Sequence, residues 1–352
     1  MRIALITDAW LPQTNGVVRT LGITAQRLRD LGHEVCVIEP VQFNTFPCPT
    51  YPEIRLVWLP YRRLDSLLTQ FAPDAIHIAT EATLGAAGRK WCRRHRFAFT
   101  TSYHTQFPEY VASRFPIPLA ASYAHLRNFH AAAARTMVAT PSLQHQLETR
   151  GFRNLVRWTR GVDVELFRPF EKNFLQLPRP IAAYVGRVAV EKNIEAFLTM
   201  QWQGTKLIIG DGPARKDLQS RFPAAVFTGY KFGDELVRHI AAADVFVFPS
   251  RTDTFGLVLL EAMACGLPIA AYPVIGPIDV VTQGVTGVLD NDLQAAARAA
   301  LALNPADCRS YALQHTWDVA TEQFLSNLAT RTEFSRARPI EDFTQRSQST
   351  QS

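Results

Sequence analysis

No apolar run in this chain is long enough to cross a bilayer, because charged or polar residues interrupt every hydrophobic stretch. Cysteine is sparse and scattered. Cys36, Cys48, Cys92, Cys265 and Cys308 are odd in number and contain no close pair, which excludes a disulfide framework and a thiolate metal site. They read as free thiols in a reducing compartment, so the expected location is cytoplasmic. The opening stretch is apolar, but it meets Asp8 early and has no small-residue cleavage site. It reads as a first buried strand and not as a secretory signal. No G-x-G-x-x-G follows that strand, which argues against a nicotinamide dehydrogenase. No Asp-x-Asp stands in a loop suited to a metal-bound diphosphate. Asp290, Asn291 and Asp292 have the spacing, but they follow a Gly-rich turn and read as solvated turn acids. No cofactor and no catalytic divalent metal are therefore expected. The pI of 9.2 comes without any nucleic-acid-binding module, so no nucleic acid partner is expected.

What is present is enough for two cores. The chain has 352 residues and is 47% hydrophobic. Charge is uneven: residues 1–175 hold 21 Lys and Arg against 13 Asp and Glu, and the remainder 16 against 18. A basic first half beside an acidic second half points to an anionic partner for the first. Short β-like runs alternate with helical patterns throughout, which predicts parallel, doubly wound sheets, an α/β fold. Strands are expected over 3–7, 34–38, 55–58, 75–78, 97–102, 136–139 and 155–158 in the first half. The second half should hold 181–185, 207–209, 226–228, 245–248 and 269–272. In the first helix Val17, Val18, Leu21, Ala25, Leu28 and Leu31 share one face, and Gly32 sits where a C-terminal cap belongs. The boundaries follow: a first domain over 1–168, a proline-rich linker over 169–180, a second domain over 181–315, a helical segment over 316–335 and a polar, disordered tail over 336–352.

The richest segment is VFVFPSRTDTFGLVLLEAMAC, 245–265. A strand stops at Pro249, a polar loop carries Asp253 and Thr254, and a helix opens at Phe255, Gly256 and Leu257 with Glu261 in its second turn. The bare N–H groups and positive end of that helix face the loop and attract an anion, usually phosphate. Two carboxylates eight positions apart can accept hydrogen bonds from hydroxyls beside it. Phosphate plus hydroxyls reads as a nucleotide-sugar.

This segment resembles the signature of retaining glycosyltransferases of the GT-B fold, family 4, whose pattern is Glu, seven residues, Glu. Here the first position is Asp253, one methylene shorter, and the second is Glu261. The resemblance implies two Rossmann-like domains facing a central cleft, with the final helices crossing back onto the first domain. It implies that Asp253 holds donor-sugar hydroxyls, that Glu261 holds the ribose, and that the backbone at Phe255, Gly256 and Leu257 approaches sugar and phosphate. The shorter Asp leaves the identity of the sugar open.

The other motifs agree with the first. AYVGRVAVEKN, 183–193, places Gly186, Arg187 and Lys192 between a strand and a helix that Asn193 can cap. Arg can fork onto two phosphate oxygens and Lys adds a point charge. The family has the same G-R-x-x-x-x-K, where both cations bind the donor diphosphate. Gly210 and Gly212 leave bare backbone for the nucleotide or simply make a turn, with Pro213 at a helix start. Tyr230 is a base-contact candidate or a rim tyrosine. On the acceptor side, Gly16 matches a loop that meets the donor phosphate in relatives, with Asn15 where many have Gly. His104 ends a strand, where the family places a His near the reacting centre; it can orient or relay a proton. Glu109 is a candidate acceptor contact. His33, His95, His125, His130, His145, His239 and His315 read as structural.

The reaction implied is transfer of a hexose from a UDP- or GDP-linked donor to a hydroxyl, with the α configuration kept. No enzyme nucleophile and no hydrolase-like carboxylate pair are in evidence. Attack would come from the face that the diphosphate leaves, with Arg187, Lys192 and the helix start holding its charge. For the acceptor, Arg89, Lys90, Arg93, Arg94 and Arg96 crowd around Trp91, and Arg62 and Arg63 precede an amphipathic pattern. A peripheral contact with an anionic membrane or a plain solvated face both fit. The stretch from IHIATEATLG to SYHTQFPEY looks like lipid-glycosylating and mannosyltransferase members. The acceptor expected is a membrane glycerolipid or lipid-linked intermediate. The alternatives are polysaccharide or lipopolysaccharide assembly, a nucleotide-sugar epimerase or hydrolase, and a non-catalytic nucleotide-sugar sensor.

Overall fold

Most of the strands are short and buried along their length, the pattern of parallel sheets covered by helices on both faces. A computed structural model describes residues 1–13, 15–48, 51–112, 118–331 and 333. It contains two six-stranded parallel sheets. The first runs in space Glu34–Ile38, Arg2–Ile6, Ala75–Ile78, Thr100–Tyr103, Arg135–Val138, Leu155–Arg157. The second runs Val226–Gly229, Thr205–Ile209, Ile181–Val185, Val245–Phe248, Ile269–Ala271, Gly287–Leu289. This is the GT-B plan, two doubly wound domains. In each sheet the chain reverses its direction of travel beside the domain's first strand. A crevice opens there, outside the carboxyl ends of the strands. In the second sheet it lies between Ile181–Val185 and Val245–Phe248, the two strands that lead into Arg187 and Asp253.

Two expectations need correction. The strand expected over 55–58 is not part of the parallel sheet. Tyr51–Val57 pairs antiparallel with Thr45–Cys48 as a separate ribbon. Pro47 and Pro52 lack the N–H that a central strand needs, and an edge ribbon tolerates that. Gly287–Leu289 went unanticipated because three residues carry no period. The first helix, Gly16–Asp30, is capped by Asn15, whose side chain accepts from the N–H groups of Val17 and Val18. Val18, Leu21, Ala25 and Leu28 are buried, and Gly32 turns the chain at φ 82°. Leu31, expected on the same face, is 56% exposed because the helix has already ended.

The helix Trp317–Asn327 packs on that first helix. Phe324 is fully buried in the cluster that holds Leu21, Leu28 and Trp158. Gln323 accepts from the Thr159 N–H at 2.6 Å, and Asn327 donates to the Arg157 carbonyl at 2.6 Å. The tail expected over 336–352 lies outside the described residues.

His77 sits in the floor of the first domain, hydrogen-bonded to Thr100 at 2.9 Å and Ser102 at 2.6 Å. Burial, and then the Arg160 charge, push its pKa down to about 3. The unfolded chain takes up this proton near pH 6.5 and the folded chain does not. Stability should therefore be full above pH 6.5 and fall with acid toward pH 3, by about 1.4 kcal/mol per pH unit from this residue. Urea unfolding at pH 6.5, 5.5 and 4.5 checks this. The slope against pH should flatten in His77→Gln.

Candidate active site

The second domain supplies a grip at its crevice. Strand Ile181–Val185 ends in Gly186 and Arg187, and a 3-10 turn, Val190–Lys192, follows. Strand Val245–Phe248 ends in Pro249, and the loop to helix Leu257–Ala264 carries Asp253. Lys192 and Asp253 meet across the crevice, with Nζ 2.6 Å from Oδ1, both about a fifth exposed. The other oxygen, Oδ2, is buried without a partner among the described residues. An orphan carboxylate oxygen beside a cation is suited to accept a ligand hydroxyl. Ser250, in the same loop, is buried, and its hydroxyl also has no partner among the described residues.

Helix Leu257–Ala264 is apolar on nearly every side, with Leu259, Leu260, Ala262, Met263 and Ala264 buried, so the core fixes its direction. Gly256 precedes it at φ 84°, a conformation that a side chain would strain, and leaves the first N–H groups without a side-chain cap. Phe255 is buried in the core, so only its backbone belongs to the loop surface. Leu257 opens the helix, and Glu261 lies one turn in. Glu261 is 5% exposed, and burial raises its carboxyl pKa while the charge of Arg19 opposes that rise.

Several predicted residues serve the fold first. A Cβ on Gly210 would lie 1.9 Å from the Gly186 carbonyl oxygen, so these two turns pack backbone on backbone. Gly212 makes the same close approach to Val188, and helix Arg215–Arg221 begins beyond Pro213. Asn193 does not cap its helix. It stands at φ 53° and its side chain donates to the Pro249 carbonyl, tying the two crevice loops together at 3.1 Å. Tyr230 follows the edge strand, 48% exposed, with its ring stacked on Phe232. Asp292 caps helix Leu293–Ala300 and Asp290 accepts from the Asp292 N–H.

The facing domain has filled its own crevice. Asp8, after strand Arg2–Ile6, accepts from the hydroxyls of Thr80 and Thr83 and from the N–H groups of Leu84 and Gly85. Its buried carboxylate occupies the start of helix Thr83–Arg94, where a phosphate would otherwise bind. Gly16 begins the first helix opposite the second domain, where an added Cβ would lie 3.7 Å from Leu257 Cδ1.

His104 stands at the end of strand Thr100–Tyr103 and meets the second domain, since Thr254 donates to its carbonyl at 2.7 Å. Its Nδ1 lies 3.2 Å from the guanidinium of Arg160. Arg160 can only donate, so Nδ1 accepts and the ring proton is on Nε2. That N–H is buried without a partner among the described residues. Burial, and then Arg160, hold the ring well below its ordinary pKa, so it stays neutral. Held this way, His104 presents its Nε2–H as a hydrogen-bond donor. Arg160 is itself buried, with its pKa lowered to about 9 by burial and then Arg157, and it donates to the Trp158 and Thr159 carbonyls. Glu109 accepts from the Tyr123 hydroxyl at 2.5 Å, and its second oxygen is buried without a partner among the described residues. Neither Asp8 nor Arg160 was anticipated. Their only sequence signal is a buried-strand context with a charge at its end.

The site's chemistry now has a family to sit in. Residues 14–166 match Glycosyltransferase Family 4, and residues 179–304 match Glycosyl transferases group 1. A GDP-mannose-dependent alpha-mannosyltransferase of Mycobacterium tuberculosis is 34% identical over 315 residues, covering 82% of this chain and 83% of that one. The chain belongs to this glycosyltransferase family. It is a transferase that takes a nucleotide-sugar. An alpha-monoglucosyldiacylglycerol synthase of Streptococcus pneumoniae is 25% identical, covering 92% of this chain and 83% of the relative. A sucrose-phosphate synthase from Thermosynechococcus elongatus has the same fold, with a TM-score of 0.76 at 22% identity, over 95% of this chain and 99% of its own. In this family 4 glycosyltransferase, Lys192 and Asp253 meet where the strands Ile181–Val185 and Val245–Phe248 end.

Proposed function

We propose that this glycosyltransferase moves mannose from GDP-mannose to a hydroxyl of a membrane glycerolipid or lipid-linked intermediate, keeping the α configuration. The observation that carries the reading is the convergence of Lys192, the orphan Oδ2 of Asp253 and an uncapped helix end at the crevice. Arg187 and Lys192 hold the diphosphate, Asp253 the sugar hydroxyls and Glu261 the ribose. Gly16, Gly186, Gly210 and Gly212 let backbone lie close to the donor, and Tyr230 borders the base. His104 donates from Nε2 to a sugar hydroxyl. The C1–O bond to phosphate breaks as the bond from C1 to the acceptor oxygen forms on the same face, and the departing phosphate oxygen takes the acceptor proton. Its growing charge is met by the two cations and the helix end, without a divalent metal. The choice of GDP-mannose follows the mycobacterial relative.

A lipid acceptor is supported by the diacylglycerol-named relative and by one surface. Trp58 and Leu59 are 65% and 78% exposed beside Arg62 and Arg63, which are exposed on helix Tyr61–Phe71. Arg93 and Arg94, exposed on helix Thr83–Arg94, lie on the helix packed against it. Apolar tips within a basic field suit an anionic membrane surface. Two of the residues first read into this patch are engaged elsewhere. Trp91 is buried and donates to Asp65 at 2.7 Å, and Arg89 donates to the Asn128 and Phe129 carbonyls. Among the described residues no helix is long and apolar enough to cross a membrane.

The test is radiolabel transfer from GDP-mannose into butanol-extractable lipid, on phosphatidylglycerol vesicles containing diacylglycerol or its monoglycosyl form. Label should enter lipid, be released by an α-mannosidase, and be unaffected by EDTA. Free mannose as the sole product would make the protein a hydrolase. Transfer from UDP-sugars alone would overturn the donor, and loss of transfer in EDTA would overturn the metal-free mechanism.

A further inference from the structure

Glu261 reaches across the cleft to Arg19, a residue of the first domain that the sequence reading did not single out. Arg19, on the first helix, forms an ion pair with the Glu261 carboxylate through Nη1 and Oε1. Glu261 belongs to the second domain and its side chain is 6% exposed, while that of Arg19 is 37% exposed. The guanidinium of Arg19 also lies 5.4 Å over the Phe167 ring, which steadies it between the domains. Asn15 has already satisfied the start of the first helix, so Arg19 projects from a fixed first turn.

The other charged groups around helix Leu257–Ala264 are committed elsewhere. Arg309, on helix Pro305–Leu313, donates to the carbonyls of Val164, Phe167 and Ala264. Asp279, on the short helix Pro277–Val280, accepts from the N–H and hydroxyl of Ser142. Lys172 donates to the Ala243 carbonyl. The neighbouring Cys265 thiol is pushed up to about 12 by burial, so it brings no charge at neutral pH.

We propose that Arg19 is a positioning residue of the donor site, supplied by the opposite domain: it keeps Glu261 ionised and aimed for the ribose, so the ribose site is complete only when the two domains are closed. The inference rests on the reading of Glu261 as the ribose group. A carboxylate offers about four lone-pair positions. Arg19 engages one oxygen and leaves room for two ribose hydroxyls. A carboxyl this buried without a cation shifts toward its protonated form. A protonated carboxyl accepts weakly and must also place its own O–H. Donor affinity then acquires a pH dependence that the ion pair suppresses.

The test is calorimetric titration with GDP at pH 8, 7 and 6. It compares the parent with Arg19→Ala, Arg19→Lys, Glu261→Gln and the Arg19→Ala/Glu261→Gln double variant. Arg19→Ala should weaken GDP about tenfold at pH 7, and its ratio to the parent should grow as pH falls from 8 to 6. Arg19→Lys should recover most of the loss. In the Glu261→Gln background, Arg19→Ala should cost nothing more. Parental affinity in Arg19→Ala, or a loss that is independent of pH and adds fully to Glu261→Gln, overturns the proposal. If Glu261→Gln is weak while Arg19→Ala binds normally, only the role of Arg19 falls. If Glu261→Gln itself binds GDP normally, the ribose reading falls first and takes this inference with it.

Discussion

Lys192→Ala should lower kcat about a thousandfold while GDP affinity changes far less. The reason lies in when its charge is needed. On the proposed reading, Lys192 before reaction shares its charge between Asp253, 2.6 Å away, and the diphosphate. As the C1–O bond breaks, the diphosphate gains charge, and a fixed cation there stabilises the transition state more than the ground state. The substitution has a second cost. It leaves Asp253 without its cation in a place where Oδ2 is already buried and unpartnered, so the sugar grip weakens too. The two losses share one pair. Asp253→Asn combined with Lys192→Ala should therefore lose less than the product of the single losses. Steady-state kcat and KM for the three variants check this. A Lys192→Ala enzyme that keeps more than a tenth of the parental kcat would contradict it.

His104→Ala should leave GDP binding unchanged and lower kcat about a hundredfold. The loss is that of one buried hydrogen-bond donor to the sugar. His104→Gln should recover part of it, because an amide can also donate from this position. Burial, and then Arg160, keep the ring neutral, so kcat of the parent should show no ionisation of His104 between pH 6 and 8. If kcat of the parent follows a group near pH 6.5 that vanishes in His104→Ala, the ring moves a proton and the fixed-tautomer account fails.

The parts of the site that could be read in the chain are those whose partners are local. Asp253 and Glu261 lie on one loop and helix, and Arg187 and Lys192 on one turn, so spacing alone brings out the two motifs, and the resemblance supplies the roles proposed for them. The two-sheet architecture was legible for the same reason, since buried strands alternate with amphipathic helices. Contacts made by distant segments left no such trace. Asp8 is satisfied by residues 72 to 77 positions away. Arg160 is 56 positions from His104. Arg19 and Glu261 belong to different domains and meet only across them. The misplaced strand over 55–58 shows the limit of composition, because a β-like run does not say which sheet it joins. Asn193 makes the same point at one residue. It is a good cap by type, but its αL backbone and its bond to Pro249 use it as a strut between loops.

The account turns on the diphosphate, and one titration isolates it. Guanosine and GDP share a base and a ribose, so the difference in their affinities reports the phosphate grip alone. The parent should bind GDP at least a hundredfold more tightly than guanosine, and in Arg187→Ala/Lys192→Ala that gap should close almost completely. A gap of the same size in the double variant would place the diphosphate elsewhere and contradict the site described above.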